Sequence, residues 1–159
     1  ESASQGTDQE GYDDIKFQHS FWGKKYFVFE CKILTNTKRS IKNYIYTTYQ
    51  KNGQIVDDGG VYRFITNKYS ANLDFGGMIG FITSNNISDI EDQIKNNLKE
   101  LKLISQSGKE FGQCLDVNLL KNEINNNKYT FYSKHIRLDK KHDEFIDPIK
   151  LTHILLDFS

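Results

Sequence analysis

Lys25-Tyr26-Phe27-Val28-Phe29-Glu30-Cys31-Lys32-Ile33-Leu34 is the stretch that decides the fold class. Its aromatic and β-branched content reads as a strand. Strand alternation puts Tyr26, Val28, Glu30 and Lys32 on one face and Phe27, Phe29, Cys31 and Ile33 on the other. A carboxylate and an ammonium two residues apart in so apolar a strand are costly to desolvate unless they are paired or meet a metal. Trp22-Gly23-Lys24 is a turn signal ahead of the run, and Asp14-Ile15-Lys16-Phe17-Gln18-His19 reads as a second strand before it. A hairpin centred on Gly23 sets Asp14 opposite Lys32 and Lys16 opposite Glu30. Directly opposed side chains share a face, so Asp14, Glu30 and Lys32 are expected to converge at one end of the hairpin.

Two carboxylates and a lysine are what divalent-metal phosphodiester hydrolysis needs. The carboxylates are hard oxygen ligands for Mg²⁺ (or Mn²⁺), and the lysine is a cation beside the attacking water or phosphate. The pattern Asp14, fifteen residues, Glu30-x-Lys32 resembles the PD-(D/E)XK nuclease superfamily, the restriction-endonuclease-like fold. Asp13-Asp14-Ile15-Lys16-Phe17, a hairpin and Tyr26-Phe27-Val28-Phe29-Glu30-Cys31-Lys32 look like members with a "DI…ECK" pattern. Tyr62-Arg63-Phe64, Lys68-Tyr69-Ser70 and Gly77-Met78-Ile79-Gly80-Phe81 look like uncharacterised bacterial proteins of that kind. The resemblance rests chiefly on residues 12–34.

It implies a mixed α+β chain, with a central mixed sheet flanked by helices. It implies that Asp14, Glu30 and the Cys31 carbonyl hold the metal and that Lys32 orients or activates water. DNA is the expected substrate, and bacterial defence or conflict with mobile elements the expected setting. Two departures stand out. Asp13 replaces the proline that precedes the aspartate in the family. Residues 1–10 have almost no apolar content, so the family's first helix, which often adds a glutamate, has no counterpart there.

A length of 159 residues fits one domain with a real core. We read residues 1–11 as a flexible polar lead and 12–159 as a single domain. No apolar run reaches membrane-spanning length and no signal-peptide core is visible, so a cytoplasmic protein without membrane attachment is expected. Cys31 and Cys114 do not make a disulfide framework, and no Cys/His cluster suggests structural zinc. Formal net charge is zero, whereas unaided duplex binding usually draws on a basic excess. That balance points to weak intrinsic DNA affinity, a homo-oligomer, or a protein partner that delivers substrate.

Along the chain, Gln54–Thr66 places Ile55, Val61, Phe64 and Ile65 roughly on one helical face, interrupted at Gly59-Gly60. Gly76–Ile82 suits a central strand. Ser88-Asp89-Ile90-Glu91 reads as a capping box opening a helix with Ile90, Ile94, Leu98 and Leu101 on one face. A second helix is expected through Val117, Leu120 and Ile124. Tyr129–Leu138 and Ile149–Phe158 read as strands, with Pro148 just ahead of the last.

Arg63, Lys68 and His135 are the side chains that could meet nucleic acid outside the metal site. Each also has an ordinary explanation: surface charge for the first two, a hydrogen-bonded sheet histidine for the third. The same applies to His153. Asp57-Asp58 could add a carboxylate or simply favour a helix start. Acyl-transfer, NTP-binding and dinucleotide motifs are absent. Two other functions remain open beside the nuclease: a restriction-like fold used only for binding or assembly, and an unrelated α+β interaction domain with Glu30 and Lys32 merely exposed.

Overall fold

A computed structural model describes residues 14–18, 26–71, 73–84, 86–119 and 129–159. The polar lead expected over residues 1–11 lies outside them. In chain order the elements are β1 (Ile15–Gln18), β2 (Tyr26–Leu34), α1 (Lys38–Ile45), β3 (Thr47–Lys51), β4 (Gln54–Asp58), α2 (Gly60–Ile65), β5 (Phe75–Ile82), α3 (Ile87–Glu100), β6 (Leu103–Ile104), β7 (Glu110–Phe111), β8 (Cys114–Leu119), β9 (Thr130–Asp139) and β10 (Glu144–Asp157).

The chain is mixed α+β, built on one six-stranded sheet in the order β1-β2-β5-β10-β9-β8. β2, β5 and β10 run parallel, while β1, β9 and β8 pair antiparallel at the two sides. The parallel strands sit centrally because their crossovers carry helices that cover a face. Alternation in β2 is as expected: Val28, Glu30 and Leu34 are buried, and Phe27, Phe29 and Cys31 are half-buried on the other side.

The described helices pack on the face that carries Glu30. Tyr44 of α1 bonds His153 of β10, Phe64 of α2 lies against Gly76, and Lys95 of α3 sits over the Phe131 ring of β9. Between these layers lie Val28, Leu34, Met78, Ile82, Leu151 and Leu155 from the sheet. Ile41, Val61, Ile65, Ile90, Ile94 and Leu98 meet them from the helices. Each such burial contributes about 1.5–3 kcal/mol. The glycines of β5 serve this contact: a Cβ on Gly76 would come 2.5 Å from the Phe64 ring. No helix among the described residues is long and apolar enough to cross a membrane.

Several sequence expectations need correction. The hairpin register is Ile15↔Phe29 and Lys16↔Val28, two residues from the one centred on Gly23. Lys16 therefore faces Val28, and Asp14 falls in the row of Glu30 rather than of Lys32. The side-chain period is two, so the faces survive this slip. The segment 54–66 is a strand and a short helix broken at Gly59, whose φ of 131° admits little but glycine. Asp57 and Asp58 thus close β4 instead of opening a helix. The polar segment 35–53, where the sequence predicts no element, holds α1 and β3.

Ser88 does not cap α3. Asn86 does, its side chain accepting from the Asp89 N–H. Val117 belongs to β8, not to a helix, and residues 120–128 lie outside those described. β10 begins at Glu144 and passes Pro148 where the register shifts between Ile146 and Ile149. A proline without an N–H is tolerated at such an irregularity.

Candidate functional site

Glu30 is fully buried on the helix-covered face of β2. A carboxylate there needs compensation, and two cations supply it. Lys32, one pleat repeat along the same face, and Arg63 from α2 both pair with Glu30 Oε1, the latter at 2.9 Å. Gly60 makes room: a Cβ there would lie 2.8 Å from the Tyr44 carbonyl and 3.3 Å from Glu30 Cγ. The first turn of α2 can therefore close over the carboxylate only because residue 60 has no side chain.

Arg63 is fixed from the far side. Its Nε and Nη2 donate to Asp58 Oδ1 and Oδ2 at 2.8 and 3.1 Å, a bidentate fork, and Nη1 also donates to Tyr69 Oη at 3.0 Å. Burial pushes the Asp58 carboxyl up, but the Arg63 hydrogen bond and charge outweigh it and hold it below the usual carboxylate range. The Tyr69 phenol is pushed up to about 12, first by burial and then by the Glu30 charge. Glu30 Oε2 is buried and accepts no hydrogen bond from the described residues.

Asp14 stands at the mouth of this arrangement. Its Oδ2 accepts from the Cys31 backbone N–H at 2.6 Å. In an antiparallel pair a residue's N–H and C=O point toward the same neighbour. The Cys31 carbonyl therefore also faces the β1 side, two rows beyond the last pair, Ile15 with Phe29. Burial, and then the charges of Asp14 and Glu30, raise the Cys31 thiol's pKa. The Lys32 side chain is 26% exposed.

The other predicted contacts fare differently. Arg63 is not a surface charge but the bridge between Glu30 and Asp58. Lys68 is exposed, and its charge acts on Asp58. His135 is a correction: it is fully buried and has no access to a nucleic acid. Its Nδ1 lies 3.0 Å from the Gly112 carbonyl and its Nε2 2.9 Å from Ser133 Oγ. His153, equally buried, lies 2.7 Å from Ser133 Oγ through Nε2 and 3.0 Å from Tyr44 Oη through Nδ1.

The Gly112 carbonyl can only accept, and with both imidazoles kept neutral by burial this assigns every proton of the network. His135 Nδ1–H donates to it. Ser133 then donates to His135 Nε2, His153 Nε2–H donates to Ser133, and Tyr44 donates to His153 Nδ1. Burial is what keeps both imidazoles neutral: it pushes His135 down to about 4 and His153 well below its ordinary value.

Two features escaped the sequence. Arg63 and Glu30 are 33 residues apart, and no spacing links them. Arg137, 2% exposed, donates to the carbonyls of Phe64 and Leu73 and to Asn67 Oδ1, stitching the segment after α2 to β9. A cavity of about 910 Å³ beside it mixes Lys134, Arg137 and Lys150 with Asp74, Asp139 and Asp147, and includes none of Asp14, Glu30 or Lys32 in its lining.

Comparison of the chain with protein-family models, curated proteins and solved structures gives no match.

Proposed function

We propose that the chain is a Mg²⁺-dependent (or Mn²⁺-dependent) nuclease of PD-(D/E)XK type that hydrolyses phosphodiester bonds of DNA. The observation that carries it is the buried Glu30 carboxylate with one oxygen unused, in the row of Asp14 and on the face of Lys32. A buried carboxylate oxygen without a donor is costly, and a hard cation would satisfy it. Asp14, Glu30 and the Cys31 carbonyl would hold the ion. Bound there, it would polarise a phosphoryl oxygen and lower the pKa of its water.

The chain's own residues do the rest. The Cys31 N–H orients Asp14, and the Asp58 fork holds Arg63 against Glu30. Lys32 swings from Glu30 Oε1 to the phosphate, where its ammonium meets charge that develops during attack. A role in bacterial defence belongs to the same proposal and rests on family analogy.

A second reading has an observation of its own. Glu30 Oε1 is already paired twice, Asp14 Oδ2 is engaged by backbone, and among the described residues no three acid, histidine or cysteine side chains are grouped to hold a metal. These charges would then be a structural lock in a non-catalytic binding or assembly module. Calorimetric titration with Mn²⁺, beside cleavage of plasmid, single-stranded DNA and RNA in Mg²⁺, separates the two. The nuclease binds the ion and cleaves, and Glu30→Gln loses both. A parent chain with neither activity sinks the proposal.

A further inference from the structure

β3 and β4 form a two-stranded ribbon that pairs with no other described strand. Every residue from Thr48 to Ile55 is exposed, Ile55 at 76%. Asn52 and Gly53 turn the ribbon at φ of 52° and 79°, the positive values that a tight two-residue hairpin favours. A ribbon of two strands is marginal unless something holds it, and here the hold is at the root. Asp57 accepts from Tyr46 Oη at 2.9 Å and pairs with Lys140 at 3.4 Å, and Asp58 takes the Arg63 fork. Arg63 also grips Glu30, so the arm is mounted on the candidate site itself.

The arm is polar and lacks acid. From Thr47 to Val56 it carries Gln50, Lys51, Asn52 and Gln54 and no carboxylate, and the two acids at its root are both paired with cations. Lys51 stands opposite Gln54 on one face, and Gln50 opposite Ile55 on the other. Tyr49 and Ile55 lie on different faces, so neither face has the apolar row that a strand-adding protein partner would grip.

We propose that this ribbon enters the major groove of duplex DNA and reads base edges through Gln50, Lys51, Gln54 and Ile55. Two strands about 4.8 Å apart, with their side chains, fit a groove about 12 Å wide and not one about 6 Å wide. A depth of about 8.5 Å admits about two residues of each strand at about 3.4 Å apiece, which are those flanking the turn. Glutamine amides match adenine, a lysine matches guanine, and an apolar side chain meets the thymine methyl. The major groove of duplex RNA is too deep and narrow for such reading. The inference rests on the proposal that the chain acts on DNA, but not on cleavage.

Fluorescence anisotropy of the intact chain in EDTA, with a DNA duplex, one of its single strands and the matching RNA duplex, tests this beside single-turnover cleavage in Mg²⁺. The parent should bind the DNA duplex most tightly. Lys51→Glu and Gln54→Glu should each weaken that binding about tenfold or more, since a carboxylate would then face phosphates and base acceptors. Lys99→Glu, the same charge change at an exposed position of α3, should weaken it far less. Circular dichroism certifies each fold, and if one ribbon variant unfolds the other decides. A parent without duplex affinity, a parent that prefers either other nucleic acid, or ribbon variants no weaker than Lys99→Glu overturns the inference. A ribbon that instead serves a protein partner or a second copy gives one of those results. Ribbon-dependent binding without cleavage keeps the inference and sinks the nuclease, and cleavage with binding indifferent to the ribbon does the reverse.

Discussion

Acidification should unfold this protein through its two buried histidines, and His135→Gln isolates the effect. In the folded chain His135 is neutral, with a pKa pushed by burial from 6.5 to about 4. Unfolded, it regains its ordinary value. Between those values the unfolded state binds the additional proton, so stability rises with pH there and is lost as pH falls. A tenfold change in proton affinity is worth about 1.4 kcal/mol, so His135 alone withdraws about 3 kcal/mol by pH 4. His153 adds a loss of the same sign. The lowered Asp58 carboxyl adds a further one at lower pH, where it is protonated. Set against a total of about 5–15 kcal/mol for a domain, this is a large fraction.

Urea denaturation at closely spaced pH values from 7 to 5, on parent and His135→Gln, is the assay. The variant loses its bonds to Ser133 and Gly112 and should be less stable at pH 7 by about 1–3 kcal/mol. That deficit should shrink by about 2 kcal/mol at pH 5, because the parent loses its His135 contribution and the variant has none to lose. Parallel stability curves for the two proteins would refute a buried, neutral His135.

Other outcomes follow from the site. If the chain is the nuclease proposed above, Lys32→Ala should lower single-turnover cleavage far more than DNA affinity in filter binding, since the ammonium would act on charge that develops in the transition state. A flattened salt slope with no cleavage in the parent would instead favour the binding module. Gly60→Ala should cost about 1–3 kcal/mol in thermal denaturation, as its methyl meets Met78 and the Tyr44 carbonyl; an unchanged melting temperature would mean that α2 does not close over Glu30 as described.

Local chemistry was legible where periodicity and burial agree. The β2 alternation, the glycine-rich β5 and the Ile90–Ile94–Leu98 stripe of α3 are each set by residues within one element, and the structure keeps them. Glu30 and Lys32 share a face as expected and pair there, and a hairpin preserves the faces of its strands under a two-residue slip. What failed depended on partners distant in the chain. Gln54–Thr66 has the apolar count of a helix, but Gly59 at positive φ and the pairing of β4 with β3 split it. Val117 fits a helical stripe, yet β9 offers β8 a ladder that satisfies its backbone.

The sequence by itself therefore determined the mixed α+β class, the strand that carries Glu30 and the faces of its side chains, because these follow from periods of 2 and 3.6 residues. Only tertiary structure decided that Arg63, held by Asp58, neutralises Glu30 beside Lys32, that His135 and His153 are core groups rather than surface ones, and that one side of the sheet has the helices. Those outcomes turn on desolvation. A buried charge or imidazole is tolerable only where the fold brings a partner to it, and the partners lie 33, 23 and 109 residues away in the chain.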